Sequence, residues 1–246
     1  VAMEQRYGAG PDQIDGMNTS QLRENFMVEG LFTPGQISFA YTHFDRMIVG
    51  GAIPGQKALG FGDGKDVGTN LFFDAREMGV ANLGGAGWIE VDGTRYELAN
   101  RDVLYIGRGA ETVSLGSDDV KSPARFYMNS VPAGHSVPTR LITRAESKIL
   151  EMGDTEKSNR RSLAMYIHPE VAPSCLLLMG ITDPAKGSVW KRIAISIFRM
   201  KTGLCTLWGV WTIPAIWLWQ MAMSSCRRPG PFIWVRARGR MVLCGA

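Results

Sequence analysis

"GWIEVDGTRYELANRDVLYIGRGAETVSL", residues 87–115, sets the fold class. Trp88 to Val91 and Thr94 to Leu98 flank Asp92-Gly93, a dipeptide that readily supplies the positive φ angles of a type I′ hairpin turn. A second turn at Asn100 to Asp102 leads into the strand "VLYIG". Short strands at even spacing, separated by Gly and Asp turns, predict an all-β protein built as an antiparallel barrel or sandwich.

Toward the N-terminus, "QISFAYTHFDRMIVGGAIP" (36–54) is rich in β-branched and aromatic residues and reads as strand up to Gly50-Gly51 and Pro54. Before it, Asn18 or Thr19 caps a short helix through "QLRENFMV", with Leu22, Phe26 and Met27 on one face and Gly30 beyond. Toward the C-terminus, Pro132, Gly134 and Pro138 break the pattern, marking a linker or crossover near residues 131–140. A second β run, "SNRRSLAMYIHPEVAPSCLLLMGIT" (158–182), follows, bounded by Pro169 and Pro173. The division expected is an N-terminal segment with a short helix (1–30), a first β unit (31–135), the start of a second (136–190) and a tail (191–246).

The tail differs in kind from the rest. The chain of 246 residues carries a net charge of +4, yet residues 191–246 hold nine Lys or Arg and no Asp or Glu, leaving 18 basic and 23 acidic side chains, a net of −5, for residues 1–190. At the acidic density of the rest, the tail should hold about 7 carboxylates. The basicity belongs to the tail alone. Cys175 is alone before residue 190, and Cys205, Cys226 and Cys244 lack metal-type or disulfide-type spacing, which fits a reducing, cytoplasmic setting. No signal peptide is visible, and Val1 points to a fragment or to a start near Met3.

Candidate chemistry is sparse. His43, His135 and His168 form no H-x-H or H-E-x-x-H pair and read as structural or exposed. The "GGAGW" loop (84–88) lacks the Lys-Ser/Thr of a phosphate loop and reads as a tight turn. Glu77 could act as a base or ligand, but an ion pair with Arg76 or Arg46 is the simpler expectation. Arg160 and Arg161, with Tyr166 further along the same run, are the substrate-binding candidates, because adjacent arginines alternate faces on a strand and one can reach a carboxylate. No residue is assigned as the catalytic base or as a metal ligand.

Six stretches in order, "LRENFMVEGLF", "YTHFDRMIVGGAIP", "REMGVANLGGAGWIEVDGTRYELANRDVLYIGRGAE", "PARFYMNSVPAGHSVPT", "SNRRSLAMYIHPEV" and "SCLLLMGITDPAKGSVW", resemble the 5-keto-4-deoxyuronate isomerase family over roughly residues 18–190. The resemblance implies a bicupin, with the first barrel complete and the second truncated or disrupted. It also implies a cytoplasmic homohexamer, bound to neither membrane nor nucleic acid, that converts a small sugar acid, 5-keto-4-deoxyuronate, to 3-deoxy-2,5-hexodiulosonate in pectin breakdown. One zinc per subunit is implied, held by an H-x-H pair and a glutamate shortly after the position of Trp190 and by the histidine of a later W-S-I-H. None of these four ligands exists in this chain, so zinc is not expected to bind it as written.

Two readings of the tail compete. Thr202 to Cys226 is uncharged, long enough to span a bilayer and flanked by Lys and Arg, but Pro214 sits mid-span and tryptophans run through the middle instead of the edges. The favoured reading is out-of-frame translation. From Ile216 onward, the third base of each codon joined to the first two of the next can spell a run containing Ala-Asp-Gly-Asp-Val-Val and Trp-Ser-Ile-His, the histidine arising across the codons of Phe232 and Ile233. Residues 191–215 do not yield the H-x-H segment this way, which points to a second insertion or deletion there.

Overall fold

The hairpin at Asp92-Gly93 forms as its sequence requires. Asp92 and Gly93 take φ of 48° and 77°, and the strands on either side pair in antiparallel register from Val91↔Thr94 to Gly87↔Leu98. The computed structural model describes residues 2–7, 9, 11–43, 45–156 and 160–185, followed by strands at 194–201, 204–211, 215–217, 234–236 and 240–242.

In chain order the elements are β1 (Ala2–Arg6), α1 (Pro11–Ile14), α2 (Thr19–Phe26), β2 (Met27–Glu29), β3 (Ile37–Thr42), β4 (Ile48–Ala52) and β5 (Leu59–Gly60). Next come β6 (Arg76–Asn82), β7 (Gly87–Val91), β8 (Thr94–Leu98), β9 (Val103–Ile106), β10 (Val113–Ser117), β11 (Phe126–Pro132) and β12 (Arg140–Ile142). The chain continues through β13 (Lys148–Met152), β14 (Arg161–Ile167), β15 (Leu177–Pro184), β16 (Ala194–Lys201), β17 (Leu204–Trp211), β18 (Ala215–Trp217), β19 (Trp234–Arg236) and β20 (Arg240–Val242).

Asn18 caps α2 by a reciprocal box: its side chain accepts from the Gln21 amide at 3.0 Å and its own amide donates to Gln21 Oε1 at 2.9 Å. The helix stops at Phe26, and Met27, expected on its apolar face, instead opens β2 with extended φ and ψ of −120° and 126°. The run 36–54 is two strands rather than one. Asp45 and Arg46, at φ of 52° and 54°, turn the chain between β3 and β4.

Among the described residues the protein is all-β apart from two short α-helices and a 3-10 turn at Lys65–Val67, in three layers. The middle layer is a seven-stranded sheet ordered β1-β3-β4-β11-β6-β9-β12, and neither it nor its neighbours closes on itself. One face packs on the four-stranded sheet β5-β10-β7-β8 as a sandwich. Ile48, Met78, Val80, Leu104, Phe126 and Met128 meet Ile89, Val91 and Leu115 there, with Phe61, Phe72 and Phe73 closing the end. The other face, through Val49, Ala81, Tyr105 and Tyr127, packs on Tyr166, Leu177, Met179 and Ile181 of the third sheet, ordered β13-β14-β15-β16-β17-β18-β2. Alternation along the middle sheet's strands explains why both faces are apolar, since successive side chains point to opposite layers.

Within the stretch Thr202 to Cys226, residues 204–211 are a strand paired to β16 over eight positions and 215–217 a short strand, and the remainder lies outside the described residues. No helix among the described residues is long and apolar enough to cross a membrane.

Candidate functional site

The junction between the middle and third sheets gathers the chemistry-bearing groups. Glu77 on β6 is fully buried, and its carboxylate accepts four hydrogen bonds. Tyr105 Oη and the Cys175 amide donate to Oε2 at 2.6 and 2.8 Å, and the Leu176 and Leu177 amides donate to Oε1 at 2.6 and 2.7 Å. Three successive amides aimed at one carboxylate form a backbone anion nest, which replaces the water lost on burial. Burial, and then the bond to Glu77, push the Tyr105 hydroxyl well above its usual range, so it is a donor here.

The ion pair expected for Glu77 is not formed among the described residues. Arg76, one residue earlier, faces the other way: its guanidinium donates to Ser130 Oγ at 3.1 Å, the Ser130 carbonyl at 3.0 Å and the Arg46 carbonyl at 2.6 Å. Strand alternation separates the two side chains that sequence adjacency suggested would pair.

Beside the nest, Cys175 Sγ lies 3.4 Å from His135 Nδ1 and accepts the Gly134 amide at 3.2 Å. The loop carrying His135 is fixed by Arg108, which donates to the Ala133 and Gly134 carbonyls, each at 3.1 Å. Spacing could not show this contact, because 40 residues separate the pair and each read as isolated. Arg101 makes a direct ion pair with Asp183, and Asp102 accepts the Arg144 amide at 2.8 Å, so two further contacts bind the layers.

The substrate candidates lie along β14. Arg160 is exposed just before the strand, with its carbonyl accepting the Ala185 amide at 2.9 Å, and Arg161 is half-buried, opposite Met152 and Pro184. Ser158 and Asn159 of the same run lie outside the described residues. Tyr166 is at the far end, beside a register shift between Met165 and Ile167, and is fully buried. At about 3.3 Å per residue, Arg161 and Tyr166 are about 16 Å apart along the strand, so they do not converge on one point.

His43 stacks on Tyr7 and reaches Gln5 Oε1 at 3.0 Å, and His168 Nδ1 accepts the Glu170 amide at 3.2 Å, both as structural residues. The "GGAGW" loop is a turn laced to Asn82, whose side chain donates to Gly85 O at 2.7 Å and accepts the Gly84 amide at 3.0 Å. An open cleft of about 560 Å³ lies elsewhere, between β1 and α2, lined by Arg6, Tyr7, Arg23, Glu24 and Glu29.

The donor set does not fit a zinc of the three-histidine, one-glutamate kind. The chain has three histidines, and among the described residues no group of three or more His, Cys, Asp or Glu is close enough to hold a metal ion. Residues 191–246 add no histidine and no carboxylate side chain.

The profile of the family described as KduI/IolB matches residues 26–191. A protein of Halalkalibacterium halodurans named 4-deoxy-L-threo-5-hexosulose-uronate ketol-isomerase is 42% identical over 195 residues, covering 79% of this chain and 71% of that protein. Those of the same name from Yersinia pseudotuberculosis and Kineococcus radiotolerans are 42% and 38% identical, covering 76% and 85% of this chain and 68% and 76% of theirs. Among solved structures, an IolB-like protein from Salmonella typhimurium is similar with a TM-score of 0.45 at 15% identity, over 58% of this chain and 51% of that one.

Proposed function

The chain belongs to the KduI/IolB family, and from that premise we propose that its gene encodes a ketol-isomerase acting on 4-deoxy-L-threo-5-hexosulose uronate, with the reading frame lost near residue 191. The observation that carries this is a coincidence of boundaries. The family model's match ends at residue 191, where a segment with nine basic residues and no Asp, Glu or His opens, although the Kineococcus protein, matched over 85% of this chain, runs past that point.

The reaction moves a carbonyl between neighbouring carbons. A proton leaves the carbon beside the carbonyl, an enediolate forms, and the proton returns at the other carbon. Such a site needs a base, a stabiliser for the developing oxyanion and a grip on the carboxylate. In our reading one of Arg160 and Arg161, at the start of β14, supplies the grip, and Tyr166, enclosed at the far end of the strand, is a packing residue. The oxyanion stabiliser belongs to the in-frame sequence after Trp190, and no residue of this chain is assigned as the base.

The first unit is then residues 31–135, the second begins at 136–190, and 191–246 is the out-of-frame remainder. The intact enzyme is placed in cytoplasmic uronate breakdown as a homohexameric bicupin, and the polypeptide as written is a metal-free family member that keeps the scaffold.

Zinc content and ketol-isomerase activity, measured on this chain and on a frame-restored chain, test the proposal. The written chain should hold no zinc and turn over at background, and the restored chain should hold about one ion and be active. A written chain that binds zinc stoichiometrically and isomerises the uronate overturns it.

A further inference from the structure

His135 and Cys175, isolated from each other in sequence, meet at the edge of the Glu77 nest. Cys175 Sγ lies 3.4 Å from His135 Nδ1, and the Gly134 amide donates to the same sulfur at 3.2 Å. When Nε2 carries the ring proton, the thiol donates to Nδ1 while its sulfur accepts from the backbone. A nucleophile within hydrogen-bond reach of a base is the arrangement that activates a cysteine side chain.

The contact is supported from both sides. On one, the Cys175 amide donates to Glu77 Oε2 at 2.8 Å and the next two amides donate to Oε1, so the backbone under the thiol is pinned to a fully buried carboxylate. On the other, Arg108 donates to the Ala133 and Gly134 carbonyls, and Ser136 Oγ donates to the Arg108 carbonyl at 2.7 Å. Residues before and after His135 are therefore anchored to one arginine. Separate supports under each member of a pair are what hold reacting groups at a fixed distance. The pair is also open to solvent, since Cys175 is half-buried while Gly134, His135 and Ser136 are exposed.

We infer that Cys175 and His135 form a nucleophile–base pair, and that Cys175 is a site of covalent modification by small, uncharged α,β-unsaturated carbonyl compounds. This class asks only for what the pair supplies, a sulfur electron pair and a carrier for one proton. The sulfur forms an S–C bond at the β-carbon as the C=C π pair shifts to the α-carbon. The thiol proton passes to His135 Nδ1 and is returned to the α-carbon, so no group leaves and no oxidant or reductant takes part. All the residues involved precede residue 191, so the inference stands apart from the frame reading.

N-ethylmaleimide, an uncharged reagent of this class, tests the pair on the full chain. Folded protein is labelled for timed intervals, quenched and digested, and the rate at Cys175 is read by mass spectrometry of its own peptide, apart from those of Cys205, Cys226 and Cys244. The same thiol in the urea-unfolded chain is the reference. Cys175 should label at least about 10-fold faster in the folded chain than in the unfolded one. His135→Asn, which keeps a hydrogen-bonding group near the Nδ1 position but no base, should remove that excess and leave the unfolded rate unchanged. His135→Ala, matched to the parent by far-ultraviolet circular dichroism, should do the same without a new amide. A folded rate no higher than the unfolded one overturns the inference, and so does an excess that survives both substitutions, because the imidazole then takes no part.

Discussion

Replacing Glu77 by glutamine changes one oxygen into an NH2 in a site built from four donors. The remaining oxygen can keep the Leu176 and Leu177 amides, which stand 2.6 and 2.7 Å from Oε1. The new NH2 faces the Cys175 amide and Tyr105 Oη, formerly 2.8 and 2.6 Å from Oε2. The phenol can rotate and accept, but the Cys175 N–H cannot, so one buried donor is orphaned at about 1–3 kcal/mol. The three surviving bonds lose charge assistance, about 1 kcal/mol each. Relief of burying a carboxylate offsets part of this, and a net loss of about 3 kcal/mol is expected. Urea unfolding followed by far-ultraviolet circular dichroism gives the stability change, and hydrogen exchange of the 175–177 amides gives a local readout that a general weakening would not single out. A loss below about 0.5 kcal/mol with those amides still protected would refute the nest as described. Arg46→Ala is the control: a side chain paired to Glu77 would make it costly, whereas the geometry here makes it nearly neutral.

Burial holds the Tyr105, Tyr127 and Tyr166 hydroxyls protonated past their ordinary value of 10.0. Their contribution is therefore complete below pH 10 and lost above it, as the unfolded chain ionises first, by about 1.4 kcal/mol per pH unit per tyrosine. Tyr127→Phe should flatten the alkaline limb of a pH–stability curve by one tyrosine's share, and an unchanged limb would contradict this. Gly107→Ala would set a Cβ 1.8 Å from the Val137 carbonyl, so a loss of about 3 kcal/mol in the same urea assay is expected. Asp92→Ala removes the Oδ1 that accepts the Glu111 and Thr112 amides at 2.9 and 2.7 Å and should cost about 2 kcal/mol, read as a lower urea midpoint. Resequencing the coding DNA from the codon of Gly187 past that of Ala246 should reveal a gained or lost base; a confirmed frame removes the proposed origin of the tail.

What the sequence made legible was local. The Asp92-Gly93 hairpin and the Asn18 cap each depend on residues within a few positions, and both form as read. The turn between β3 and β4 escaped notice because Asp45 and Arg46 carry the positive φ without Gly or Asn to announce it. Glu77 was visible as a lone acid in an apolar strand, but its partners lie 28 to 100 residues away and three are backbone amides, which leave no side-chain signature. The Cys175–His135 contact was hidden for the same reason. Tyr166 reads in sequence as a substrate-binding candidate, and only the packing of two sheets encloses it.

The distance in sequence between Glu77 and its amides also has a meaning in time. About 100 residues separate the carboxylate from Leu177, so at roughly 5–20 residues per second a ribosome needs about 5–20 s to deliver the nest after the acid has emerged. For that interval the nascent first unit carries a charge on a face destined for burial, which keeps the face wet and discourages premature association. All three amides precede residue 191, so every part of this latch lies within the stretch that the family model matches.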